Sequence, residues 1–117
     1  MYTRRVGDDA LARLADAGRR GDVAALREAV TPDVVAICDS GGLIPALVEP
    51  VRGVDDVAAL LSGFAGAEVA PAQVNGGAGV VVRRGGKVVA VLLAPGEATR
   101  IGTLWVVLNP DKLRCWQ

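Results

Sequence analysis

The spacing of apolar positions changes along this chain, and each change marks an element. Leu11, Leu14, Ala15 and Gly18 recur at helical spacing, followed by Arg19 and Arg20, which suit the negative end of a helix, and by Gly21, which suits its termination. Asp8 and Asp9 are expected to cap this first helix. Asp22 is expected to cap a second, whose stripe is Val23, Leu26 and Val30 and which Pro32 ends by denying the α conformation to the residue before it. The run Asp33-Val-Val-Ala-Ile-Cys-Asp39 is short and β-branched, which predicts a first strand. Residues 40–52 hold two glycines and two prolines and predict a loop or an irregular edge segment. From Val54 the helical period returns in Val57, Leu60, Leu61 and Phe64, with Asp55 and Asp56 at the positive end of a third helix.

The second half of the chain alternates instead. Ala72–Asn75 and Ala78–Arg84 read as strands interrupted at Gly76-Gly77 by a bulge, or by a bend in one long strand. Arg83-Arg84-Gly85-Gly86-Lys87 predicts a hairpin, because a Gly-Gly pair supplies the positive φ angles of a two-residue turn. Lys87–Leu93 then returns antiparallel, and Pro95-Gly96-Glu97 turns the chain into a strand over Ile101–Leu108. That strand is apolar apart from Gly102 and Thr103 and stops at Asn109-Pro110, so both of its faces are expected to be buried. Helix, helix, strand, helix and then three or four consecutive strands predict an α+β fold in which a curved sheet wraps the helices.

Composition narrows the partners. Residues 1–117, at 12.0 kDa, are expected to form one domain. Lys and Arg number 13, Asp and Glu 13, and no basic run exceeds two residues, so neither nucleic acid nor an anionic membrane is an expected partner. A mean hydropathy of +0.37 with 51% hydrophobic residues is high for this size, which predicts a homodimer, a docking face or a ligand cavity. No run reaches the length of a membrane span, and the start turns acidic where a signal peptide carries its apolar core, so a cytoplasmic location is expected. Cys38 and Cys115 are expected to be free thiols. With no histidine beside them the ligand set for a metal is too small, and no metal or cofactor is expected.

Several short segments together resemble a known family. They are Ala24–Val35 (AALREAVTPDVV), Val51-Arg-Gly-Val-Asp-Asp-Val57, Val74-Asn-Gly76 and, most specifically, Asn109-Pro-Asp-Lys-Leu113. Across nearly the whole chain they resemble the SnoaL-like domain at the C-terminus of one group of extracytoplasmic-function RNA polymerase sigma factors. The resemblance implies a nuclear transport factor 2-like fold, a cone of curved, mostly antiparallel sheet closed by three N-terminal helices. It also implies a non-catalytic regulatory domain that contacts sigma-factor regions or RNA polymerase and modulates transcription. The family carries an Asp-Gly-Gly-Gly-Lys motif and an Asn-Pro-Asp-Lys-Leu motif. The second is intact here as Asn109, Pro110, Asp111, Lys112 and Leu113. The first matches at Asp39, Gly41 and Gly42, with Ser40 in place of a glycine and Leu43 where the lysine would stand. These residues are the expected partner contacts.

Folds of this kind also house polyketide cyclases, ketosteroid isomerases and epoxide hydrolases, which sets a second expectation. A cyclase or isomerase needs a carboxylate base in an apolar pocket and an acid that stabilises an enolate. Asp39, which closes the apolar strand, is the candidate base, and burial there would raise its pKa; the plainer reading is an Asx turn at a strand end. An enolate partner is lacking. Tyr2 is the one tyrosine, and Glu49, Glu68 and Glu97 fall in predicted loops. Trp105 is placed either in the core or on a cavity wall facing a small apolar ligand. Asp111 and Lys112 would form a salt bridge, a lid or a partner contact. The balance predicts a regulatory module, with a small Asp39-dependent enzyme and an apolar-ligand sensor as the competing readings.

Overall fold

One side of the first helix is apolar, and that side is what the fold buries. The structure, a computed structural model, describes residues 6–42, 48–74, 77–95 and 99–116, with side chains from Ala10 onward. Helix α1 spans Val6–Arg20 and α2 spans Val23–Glu28, with Asp22 accepting from the Ala25 N–H at 3.1 Å as the N-cap. The α1 helix is already under way at Val6, so Asp8 and Asp9 lie inside its first turn and not ahead of it. Strand β1 covers Val30–Asp39, β2 covers Val51–Arg52, and helix α3 covers Val54–Ser62. Strands β3 (Glu68–Val74), β4 (Gly77–Arg84), β5 (Lys87–Leu93) and β6 (Ile101–Val107) follow, then a short helix α4 over Pro110–Leu113 and a 3₁₀ turn over Arg114–Trp116.

The six strands form one sheet in the order β2-β1-β6-β5-β4-β3, antiparallel throughout except that β1 and β6 run parallel. Alternation along each strand separates two faces. The inner face carries Val34, Ala36, Val82, Ala90, Leu92, Leu104 and Val106, all buried against Leu14, Leu26, Val57 and Leu61 of the first three helices. Each such Leu or Val stabilises the fold by roughly 1.5–3 kcal/mol. The outer face is covered only in part: Leu113 of α4 packs with Val81, Val88 and Val91, with Trp116 beside them.

The expected α+β order holds, with several corrections. The strand begins at Val30 and not at Asp33, because α2 ends at Ala29 and Val30 is already opposite Ile101. Pro32 therefore interrupts no helix; it lies in a bulge, where the register jumps from Val30↔Ile101 to Val35↔Thr103, a place that tolerates a missing N–H. The Val74↔Gly77 pairing makes β3 and β4 an antiparallel hairpin and not one bent strand. Its connecting residues, Asn75 and Gly76, lie outside those described. Glu68 opens β3 and is not in a loop. The Gly85-Gly86 hairpin has the expected backbone, with φ of 57° and 78°. Residues 40–52 include a two-residue edge strand, within the expected irregular segment. The last strand is buried on one face only, since Trp105 is 43% exposed on the other. Finally, Asn109-Pro110 starts a fourth helix where a turn alone was expected, and that helix lies on the opposite sheet face from the first three.

Candidate functional site

The last residue of β1 and the first turn of α4 meet at one end of the sheet, although 73 residues separate Asp39 from Lys112. The β1–β6 pairing brings them there: Asp39 lies opposite Val107, and the Leu108 N–H donates to the Asp39 carbonyl at 2.6 Å. Beyond Asp39 the chain turns through Gly41 and Gly42, at φ of 67° and 81°, a region that favours glycine. Beyond Leu108 it turns into α4, where the Asn109 side chain accepts from the Asp111 N–H at 3.1 Å and Pro110 takes the first helical position.

The two turns interlock. Lys112 Nζ lies 2.5 Å from Asp39 Oδ2, while Asp39 Oδ1 accepts from the Gly41 N–H at 3.1 Å in an Asx turn. A side chain on Gly41 would begin 3.0 Å from Asn109 Cγ, so the glycine is what lets the two segments touch. Asp111 pairs with Arg114 at 2.5 Å, and Leu113 is buried below. Ser40 is buried in the same turn. The structure thus brings Asp39, Gly41, Asn109, Pro110, Asp111 and Lys112 into one surface, with Leu113 buried beneath it and Gly42 exposed at its edge. Leu43 lies outside the described residues.

The electrostatics run against a base at Asp39. Lys112 beside it, helped by the Gly41 N–H and Asn109, holds its carboxyl below the usual range, against a smaller opposing effect of desolvation. The expectation of a pKa raised by burial is corrected accordingly. Alternation of β1 also puts Asp39 on the outer face with Ile37, away from the helices that close the cone. Trp105, opposite Ile37, stands on that same outer face, so it neither packs in the helix-covered core nor lines its interior. A pocket between α1, α3 and the sheet, beside Leu14, Leu61, Phe64 and Leu92, holds about 10 Å³, about the least that one water needs. Glu49 and Glu68 are exposed, and Tyr2 and Glu97 lie outside the described residues.

The thiols are free: Cys38 is half-buried on the inner face, where desolvation pushes its pKa up, and Cys115 is exposed. Among the described residues no group of three His, Cys, Asp or Glu side chains could hold a metal, and no helix is long and apolar enough to cross a membrane. Sequence reasoning missed that Lys112 supplies the cation for Asp39, and that Asn109 caps a helix. The second was visible as an Asn-Pro-Asp start signal.

No protein-family model and no curated protein matches the chain. Solved structures do. A nuclear transport factor 2-like protein from Cytophaga hutchinsonii superposes with a TM-score of 0.61 at 14% identity, over 97% of this chain and 99% of its own. The chain has the nuclear transport factor 2-like fold. Among proteins of this fold, the extracytoplasmic-function sigma factor SigJ of Mycobacterium tuberculosis matches with a TM-score of 0.67 and 26% identity over 92% of this chain. The match spans 43% of the sigma factor's own length. An epoxide hydrolase of the LEH-like type from M. tuberculosis has the same nuclear transport factor 2-like fold, with a TM-score of 0.59 at 16% identity over 94% of this chain and 87% of its own.

Proposed function

We propose that this chain is a non-catalytic regulatory domain of sigma-factor-dependent transcription, acting in the cytoplasm by contact with sigma-factor regions or RNA polymerase. One observation carries the reading: Asp39–Gly42 and Asn109–Leu113, the two segments in which the sequence resembles the sigma-factor domain, form one interlocked surface through the Asp39–Lys112 pair. The similarity to SigJ over 92% of this chain supports it. In this reading Lys112 replaces, from the far end of the chain, the cation that Leu43 leaves out of the glycine motif.

The alternative, a small cyclase or isomerase with Asp39 as base, has less support. An ionised, ion-paired carboxylate on the outer face is poorly placed to take a proton from a substrate inside the cone. The described pocket inside the cone does not favour an apolar-ligand sensor either, since beside Leu14 and Phe64 it holds only about 10 Å³.

The test is run-off transcription by RNA polymerase carrying each extracytoplasmic-function sigma factor of the source organism, with and without this chain. Transcript yield from at least one sigma factor is expected to change, and to change less with an Asp111→Ala/Lys112→Ala variant that remains folded. An unchanged yield from all of them would count against the proposal. So would ketosteroid or epoxide turnover by the chain that disappears in Asp39→Asn.

A further inference from the structure

The two edges of the sheet differ in length. Strand β2 forms one with Val51 and Arg52 alone, whereas β3 forms the other with seven residues, Glu68–Val74, paired with β4 on one side and with no strand on the other among the described residues. An edge of that length presents a row of unpaired N–H and C=O groups on which a second strand can form. Side chains do little to deter one. After Glu68 the strand reads Val69, Ala70, Pro71, Ala72, Gln73 and Val74, without a charge, and Pro71 at its centre is the one residue that breaks the row.

The register shows which side of β3 the proline affects. Residues opposite one another in an antiparallel ladder alternate between pairs that exchange hydrogen bonds and pairs that do not. Pro71, opposite Val80, has no N–H to exchange, so its pair belongs to the second class. Glu68, Ala70, Ala72 and Val74 therefore bond to β4, and the backbone groups of Val69, Pro71 and Gln73 point outward. Val74↔Gly77 agrees, because the pair that closes a two-residue hairpin is a bonded one.

We propose that Pro71 keeps β3 of one molecule from pairing with β3 of a second copy. The longest antiparallel pairing open to this edge has its two-fold axis at Pro71 and sets Val69 against Gln73 of the second copy. The two prolines then face each other where the central pair of hydrogen bonds should form: neither can donate, and both rings project into a gap of about 4.8 Å between strands. Nothing else in the segment opposes that pairing, since it sets Glu68 against Val74 and Ala70 against Ala72, with no like charges opposite. The proline takes no bond from the ladder with β4. This inference concerns the fold's own edge and does not rest on the proposed function.

The test combines amide exchange with sedimentation. In the wild-type chain the outward amides of Val69 and Gln73 should exchange at least about tenfold faster than those of Ala70 and Ala72, which β4 holds. Pro71→Thr, at an exposed strand position, should sediment at a higher mass than wild type at equal concentration, with Val69 and Gln73 now protected in step with association. Adding Gln73→Pro, which removes another outward donor, should return both the mass and the exchange to wild type. Pro71→Ala gives a second reading of the same edge if the threonine variant does not fold. Wild-type Val69 and Gln73 amides as slow as those of Ala70 and Ala72 would overturn the assignment of an open edge. Variants that keep the wild-type mass, or that associate while Val69 and Gln73 exchange fast, would overturn the role given to Pro71.

Discussion

Asp39 ties the end of β1 to α4 through one carboxylate, and its charge state decides how well. Its ionised form is stabilised by Lys112, by the Gly41 N–H and by Asn109, which lowers its pKa in the folded state below the ordinary 3.8. A lowered folded pKa contributes stability that is present above the unfolded value and lost as pH falls through the folded one. The Asp39 carboxylate is 34% exposed and Lys112 64%, so the contribution is that of a surface pair, about 0.2–1 kcal/mol. Lys112→Ala should therefore lower the urea unfolding free energy by about that amount at neutral pH. The loss should shrink towards nothing at a pH well below 3.8, where wild type and variant both carry a neutral Asp39. A deficit that persists unchanged in acid would mean that Lys112 acts by packing and not by charge.

At the scale of elements, α4 depends on its cap. It has only four residues, too few to hold themselves in helical form, and its orphan N–H of Asp111 is satisfied by the Asn109 side chain. Asn109→Ala should cost about 1 kcal/mol and raise amide exchange at Asp111 and Lys112 before it affects the β-sheet. Equal exchange in variant and wild type would show that Leu113 alone anchors the helix. How much of these elements the sequence revealed follows from where their causes lie. The Gly85-Gly86 turn was legible because its cause is local: two adjacent residues with no Cβ. The β3–β4 reversal is less legible, because adjacent glycines at 76 and 77 suit a bulge as well as a turn and only the Val74↔Gly77 pairing decides between them. The start of β1 at Val30 was hidden for another reason. Val30 fits a helical stripe by spacing, and only its pairing with Ile101, brought from the far end of the chain, makes it a strand residue. The candidate site was half legible in the same sense: both motifs stand in the sequence, but the Lys112–Asp39 pair that joins them depends on β1 and β6 lying side by side.

Over the whole molecule, the outer sheet face is where apolar surface is left over. One row across it, Ile37, Trp105, Leu93, Gly79 and Ala72, contains no charge, and neither α4 nor the 3₁₀ turn covers it, since these sit over Val81, Val88 and Val91. Trp105 is left 43% exposed in the middle of half-buried aliphatic neighbours, in a chain whose formal net charge of +0 offers no repulsion between copies. A two-fold contact sets the same patch against itself, which an uncharged sheet face with one protruding indole accommodates without any complementary surface elsewhere. Sedimentation at rising concentration should therefore resolve a species of twice 12.0 kDa. Trp105→Ser should return it to the monomer, because burial of an exposed aromatic supplies much of the energy of such contacts. Its unfolding midpoint as a monomer should move little, as a partly exposed side chain contributes less to the fold than a core one. Wild type that stays at 12.0 kDa throughout would leave this face to a different protein, and the hydrophobic excess seen in the composition would then belong to a heteromeric contact.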